Sequence, residues 1–306
     1  MKVFVTGATG FVGTAVTRDL LAHGHHVLGL ARSERSADHL ARMGAQALRG
    51  DLEAPETLRR GAELSDAIVH TGFIHDFSRF AAACAVDRCA IEALGAAIEG
   101  TKKPLVVTAG VAHLDAAGPV AVETDPGLPP SDRYPRASEA AARALRDRGI
   151  AASLLRLPPS VHGRGDHGFV PMLIDMARQK GRSAYIGDGG NAWPAVHVND
   201  AARAFRHVVA RGADAGTFHA VAEQGVPFRR IAEAIARGLD LPCVSLSDTE
   251  ARDHFGWFFG FASLDQPTSS ARTRATLGWA PSGPDLLSDI REAGYFSPER
   301  ADAETP

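Results

Sequence analysis

The sequence predicts an α/β fold: a Rossmann-type doubly wound parallel sheet with a smaller C-terminal substrate lobe. Three observations carry this. Short apolar runs alternate with longer helical patterns through the first half of the chain. A glycine-rich turn joins the first apolar run to the first helical pattern. After Pro158 the pattern changes, and Gly, His, Pro and aromatic residues become frequent. Strands that alternate with helices form right-handed βαβ units, and continuous apolar strands fit a sheet covered on both faces.

Val3 to Val5 is a β-branched and aromatic run, hence a strand. Phe11 to His23 has helical periodicity and stops at Gly24, a C-cap. His26 to Leu30 reads as the second strand, Glu34 to Met43 as a helix ended by Gly44, and Ala45 to Leu48 as the third strand. Ala67 to His70 is the fourth strand, and Phe77 to Ile98 a long Ala-rich helix. Leu105 to Thr108 is the fifth strand, Arg136 to Arg148 a helix, and Ala152 to Leu157 the sixth strand, stopped by Pro158-Pro159. The dinucleotide-binding domain is therefore expected over 1–160. Asn199 to Arg211 (helix) and Thr217 to Val221 (strand) suggest that 186–222 returns to it. The smaller lobe takes 161–185 and 223–306, and Trp193, Trp257 and Phe258 are expected to build its core. The tail Glu299 to Pro306 is polar and expected to fray.

Composition narrows the function classes. Of 306 residues 45% are hydrophobic and 23% charged, which fits a globular chain rather than a disordered or fibrous one. The net charge is -3 and the arginines are scattered among acids, so no nucleic-acid partner is expected. Cys84, Cys89 and Cys243 show no paired spacing, which argues against a disulfide framework or a zinc site. Met1-Lys2 leads straight into the first strand, so no targeting segment, membrane span or membrane partner is expected, and the location is read as cytoplasmic.

Gly7-Ala8-Thr9-Gly10-Phe11-Val12-Gly13 lies between the first strand and the first helix. A diphosphate needs backbone N–H groups at a helix N-terminus with no side chain in the way. Gly7 makes the tight turn, Gly10 admits the phosphates, and Gly13 lets the helix pack on the sheet. An NAD site usually carries an acid at the end of the second strand, to hold the ribose 2′-hydroxyl. Here the chain reads Leu30-Ala31-Arg32-Ser33-Glu34-Arg35. Arg32 and Ser33 suit a 2′-phosphate, so NADP is the preferred cofactor, with NAD as the alternative that Glu34 keeps open.

Taken together, Gly7 to Gly13, Gly50-Asp51-Leu52, His197-Val198-Asn199-Asp200-Ala201-Ala202 and Leu277-Gly278-Trp279-Ala280-Pro281 resemble the extended short-chain dehydrogenase/reductase superfamily, in its NAD-dependent epimerase/dehydratase branch. The resemblance implies that Asp51 and Leu52 lie beside the adenine and that Gly72 and Phe73 border the cofactor. It also implies a catalytic Tyr, a Lys four residues later, and a Ser or Thr after the fifth strand. The Tyr stretch reads Tyr134-Pro135-Arg136-Ala137-Ser138-Glu139, and neither Ser138 nor Glu139 supplies the Lys. Gly110 stands where the hydroxyl residue belongs. Arg136, two residues after Tyr134 in an expected helix, does not share its face, although an arginine stays protonated and lowers a Tyr pKa where the geometry suits. The resemblance thus implies an atypical member with an intact cofactor half and a degraded catalytic half.

Loops at the carboxyl ends of the strands offer replacements. His75 follows the fourth strand, and His162 and His167 follow the sixth. An imidazole with a pKa near 6.5 can give up a proton at neutral pH, which makes Tyr134, His75 and His162 the candidate catalytic residues. His197 reads as structural. No metal site is expected, since the spacing of these groups matches no metal motif. The leading expectation is an NADP-dependent reductase of a small, partly apolar carbonyl compound. A nucleotide-sugar epimerase or dehydratase, and a silent dinucleotide-bound regulator, are the alternatives. A homodimer through the helix Phe77 to Ile98 is expected by analogy only.

Overall fold

Val3, Phe4 and Val5 set the frame. They lie in β1 (Lys2–Thr6), with Val3 and Val5 in the core on one face of the sheet and Phe4 in the core on the other. The side-chain period of two in a strand produces this split. In the computed structural model, which describes residues 1–112, 114–132 and 134–297 and all but the side chain of Phe77, the chain alternates as expected. The tail 299–306 lies outside the described residues.

After β1 come α1 (Phe11–Ala22), β2 (His26–Ala31), α2 (Glu34–Met43), β3 (Gln46–Arg49), α3 (Pro55–Glu63) and β4 (Ala67–His70). A 3-10 turn (Phe77–Arg79) leads into α4 (Phe80–Ala97), β5 (Leu105–Gly110), α5 (Ser138–Asp147) and β6 (Ala152–Leu157). The second half adds β7 (Ser160–His162), α6 (Phe169–Lys180), β8 (Ser183–Ile186), β9 (Ala192–His197), α7 (Val198–Ala210) and β10 (Thr217–His219). It closes with β11 (Glu223–Pro227), α8 (Phe228–Leu239), β12 (Cys243–Leu246), α9 (Asp248–Phe255), α10 (Phe259–Ala262), α11 (Ala271–Leu277) and α12 (Leu286–Glu292). Among the described residues no helix is long and apolar enough to cross a membrane.

Seven strands form the main sheet in the order β10-β6-β5-β4-β1-β2-β3, and every pairing is parallel. The order reverses direction between β1 and β4. A crevice therefore opens at the carboxyl ends of those two strands, the place where sheets of this kind bind ligands. Val16 and Leu20 of α1 and Phe205 and Val208 of α7 cover one face with Val3 and Val5. Leu58, Ile91, Leu94 and Leu145 cover the other with Phe4, Ile68 and Val107. Helix α3 can sit on the Phe4 ring because Gly61 has no side chain. A Cβ there would lie 2.3 Å from Phe4 Cζ.

The second lobe has its own sheets. Strands β11, β9 and β7 form one, and β12 pairs with β8 in another. Of the segment 186–222, α7 packs on the main sheet and β10 pairs into it, whereas β9 pairs with β7 and β11 in the second sheet. Trp193 and Phe258 are fully buried with Phe228, Ile231 and Ile290. Trp257 departs from the expectation, since 57% of it is exposed. It stands at the end of α9, where the chain turns through Gly256 and directs Phe258 inward instead. A polar clasp joins lobe and sheet. Trp279 Nε1 donates to the Asp200 carbonyl at 3.0 Å, and the Asp200 carboxylate accepts from Ser282 N and Gly283 N. The two sequence motifs carrying these residues hold each other.

Candidate active site

The crevice begins where β1 runs out. The chain turns at Gly7 with φ +65, in the left-handed region that favours glycine. A Cβ on Gly7 would lie 2.7 Å from Gly72 Cα, and one on Gly13 only 1.9 Å from Gly7 O. The loop therefore packs backbone to backbone against the end of β4 and the start of α1. Gly10 caps α1 without any side-chain hydrogen bond, and no acid occupies the first helical turn. Thr9 and Gly10 form the open tip, with Phe11 and Val12 half-buried behind it. A helix N-terminus left bare in this way offers N–H donors to a diphosphate.

Beyond this cradle, Arg32 and Ser33 are exposed at the end of β2. Ser33 Oγ accepts from Ser36 N at 3.2 Å and so caps α2. The Glu34 carboxylate is paired with Arg49, 3.3 Å away. Asp51 Oδ1 accepts from Glu53 N at 3.0 Å and shapes the turn that presents Leu52. Leu52 lies against Gly72, where a Cβ would meet Leu52 Cδ2 at 3.0 Å. The sequence-predicted cofactor residues on β1, β3 and β4 thus share one wall.

On the far side of the crevice, the chain after β4 carries Phe73 and His75, whose rings meet edge-on at 5.2 Å. The Arg136 guanidinium lies over the Phe73 ring, 4.2 Å from its centroid. His167 packs edge-on against Phe11 of the glycine loop at 5.9 Å. Crowding by protein, the Arg136 charge and His167 together hold the His75 imidazole down to about 4. His75 is therefore neutral at neutral pH although solvent reaches it. Burial pushes the Tyr134 phenol up, and the Arg136 charge offsets part of that rise. Tyr134 and Arg136 line a cleft of about 430 Å³ with Ala109, Gly110, Leu114, Leu128 and Pro129. Its walls are largely apolar, and among the described residues its charged lining is Arg136, Arg143, Asp115, Glu139 and Asp147, with Arg143 paired to Glu139.

His167 thus packs on the glycine loop, His75 lies near Arg136 and His167, and Tyr134 shares its cleft with Arg136, but His162 does not join them. It is fully buried, and its Nδ1–H donates to Asp289 Oδ2 of α12 at 2.8 Å. Strand β7 turns it inward, beneath the second lobe, so it is a pairing group rather than part of the cleft. His197 caps α7, accepting from Asn199 N at 3.3 Å.

The structure changes the place of Arg136 and adds Asp87, which the sequence reading did not single out. Helix α5 starts at Ser138, not at Arg136, so Arg136 sits in extended chain beside Tyr134 and the helical-face argument against it lapses. Arg136 Nε donates to Ser138 Oγ at 3.1 Å, and Ser138 donates to Asp87 Oδ2 at 2.6 Å. Asp87 belongs to α4 and is only 2% exposed. An acid in the middle of an Ala-rich helix was the available signal. His70 Nε2–H donates to the other Asp87 oxygen at 3.1 Å, and Thr6 Oγ1 lies 2.8 Å from His70 Nδ1. Thr6 in turn accepts from Gly72 N at 3.2 Å. The buried chain therefore runs from Arg136 to the floor of the glycine loop.

Residues 3–221 match the NAD dependent epimerase/dehydratase family. The chain belongs to that family. An uncharacterized protein of Schizosaccharomyces pombe is 44% identical over 97% of this chain and 100% of its own length. A 2-alkyl-3-oxoalkanoate reductase of Stenotrophomonas maltophilia is 27% identical over 80% of this chain and 77% of its own. Among solved structures, the dTDP-glucose 4,6-dehydratase DesIV of Streptomyces venezuelae superposes with a TM-score of 0.76, at 20% identity and covering 98% of each chain. The family's own description names a nicotinamide dinucleotide, and the bare helix N-terminus over Gly7, Gly10 and Gly13 fits such a group.

Proposed function

We propose that this family member is an NADP-dependent reductase of small, partly apolar carbonyl compounds. The observation that carries the reading is the state of Tyr134. A phenol of ordinary acidity keeps its proton across neutral pH, and burial pushes this one further up, at the rim of an apolar cleft. A protonated Tyr is an acid for a carbonyl oxygen. Epimerisation and dehydration need a base at the start, and neither Ser138 nor Glu139 serves one here: Ser138 is bound to Asp87, and Glu139 is bound to Arg156. The nicotinamide group, when bound, supplies a hydride. The protein's part is to orient the carbonyl, exclude water and deliver the proton from Tyr134 Oη to the nascent alkoxide, the proton being replaced from solvent. His75, held neutral beside Phe73, offers an imidazole for a second hydrogen bond.

Arg32 and Ser33 at the end of β2, with Glu34 drawn to Arg49, support a 2′-phosphate over a free 2′-hydroxyl. The apolar walls of the cleft suit a carbonyl compound with an alkyl part, which the 2-alkyl-3-oxoalkanoates named for the Stenotrophomonas relative have. The test is NADPH oxidation against a panel of 2-alkyl-3-oxo acids, their esters and plain ketones. Turnover of the alkyl-bearing carbonyl compounds is expected. NADPH binding with no turnover anywhere would instead favour the silent regulator.

A further inference from the structure

Arg136 and Asp87 are joined through one hydroxyl. Ser138 Oγ accepts from Arg136 Nε at 3.1 Å and donates to Asp87 Oδ2 at 2.6 Å. Every hydrogen bond in this buried chain points toward the carboxylate, because His70 Nε2–H donates to Oδ1 from the other side. A carboxylate sealed from water stays ionised only if donors and a cation compensate it. Asp87 has both. Despite its burial it is held below the usual carboxylate range by His70, Arg136 and Ser138.

The consequence for Arg136 is a fixed position. Its long side chain is clamped at Nε by Ser138 and flattened over the Phe73 ring at 4.2 Å, so little rotamer freedom remains. This places a permanent cation between the loop after β4 and the chain that carries Tyr134. Arg136 and Tyr134 line the same cleft. We propose that Arg136, held by Ser138 and Asp87, is the positioning cation of this cleft and acts on the Tyr134 hydroxyl, in the role for which the sequence lacks a lysine. The proposal rests on the reading of Tyr134 as the proton donor. It explains why position 138 is a buried serine: a short hydroxyl there bridges guanidinium to carboxylate.

Among the described residues, Arg136, Cys84 and Glu139 act on Tyr134, and Arg136, His167 and Asp87 act on His75. Arg136 acts on both, so its removal is read at two probes. The protein has three tyrosines, which makes an ultraviolet titration of tyrosinate resolvable once Tyr134→Phe marks the relevant step. The His75 imidazole is followed by NMR and marked by His75→Gln. Arg136→Gln is expected to raise both titrations by about one pH unit or more, and Arg136→Lys to restore most of the shift. Ser138→Ala frees the guanidinium without discharging it. It is expected to move both in the same direction by less, and it serves if Arg136→Gln does not fold. Neither probe moving in folded variants would overturn the proposal. The titrations use the protein alone, so an empty substrate screen leaves them interpretable. Conversely, unmoved titrations in an active reductase sink only the role given to Arg136.

Discussion

Arg156 grips both carboxylate oxygens of Glu139, Nε to Oε2 at 2.9 Å and Nη2 to Oε1 at 2.7 Å. Arg156 is 1% exposed, and it also donates to the Asp125 carbonyl and to His219 Nε2. Glu139 therefore ties α5 to β6 and to the loop before it. Glu139→Gln leaves a buried guanidinium without its counter-charge, and a loss of about 3 kcal/mol is expected in chemical denaturation. An unchanged midpoint would mean that the pair is not what holds α5 in place.

Acid should undo this region in a defined window. Burial, with the Arg156 charge beside it, holds His219 down to about 4, and its Nδ1–H donates to the Ser269 carbonyl. A histidine with a depressed folded pKa is neutral in the folded protein and takes up a proton on unfolding. Its stabilising share is thus complete above the ordinary value of 6.5 and is lost as pH falls toward about 4. His75 adds to the same window. Glu139 and Asp87, held below their ordinary values, lose theirs at still lower pH. Thermal melting should fall steadily from neutral pH to about 4, with a shallower slope in His219→Gln. A flat profile would contradict the assignment.

Gly110 ends β5 at the cleft, and a Cβ there would meet nothing closer than 3.9 Å. The family hydroxyl that the sequence lacks can therefore be put back without strain. Gly110→Ser is expected to fold normally and to raise kcat/KM on carbonyl substrates by up to about tenfold, the share of one added hydrogen bond to the substrate oxygen. A drop in rate with unchanged folding would show that the substrate carbonyl does not sit there.

Cofactor choice is read at the end of β2. Arg32→Ala removes an exposed guanidinium and should weaken NADPH binding by about tenfold while leaving NADH binding unchanged. Equal losses for both cofactors would point to a role for Arg32 outside 2′-phosphate recognition.

The main sheet was legible because its strands are continuous apolar runs, and Glu34–Met43, Ala67–His70 and Ala152–Leu157 coincide with their sequence bounds. Helix α3 was not legible. It buries just Leu58, Gly61 and Ala62, and a helical Gly breaks the apolar stripe that marks such elements. The second-lobe strands were hidden for another reason. Glu223–Pro227 is a bulged strand of mixed polarity whose pairing with β9 is set by tertiary packing. In the site, the glycine loop was readable because its chemistry is local. The Arg136–Ser138–Asp87 link was not, since Ser138 and Asp87 are 51 residues apart. His75 and His162 look alike in sequence, and burial alone separates them.

The most direct test of the reductase reading is a single turnover of NADPH with a 2-alkyl-3-oxo acid, comparing the natural protein with Tyr134→Phe. The account predicts that hydride consumption falls by roughly 100-fold or more in the variant, with NADPH affinity unchanged, because only the proton donor is lost. Equal rates in the two proteins would contradict it and move the proton to another group.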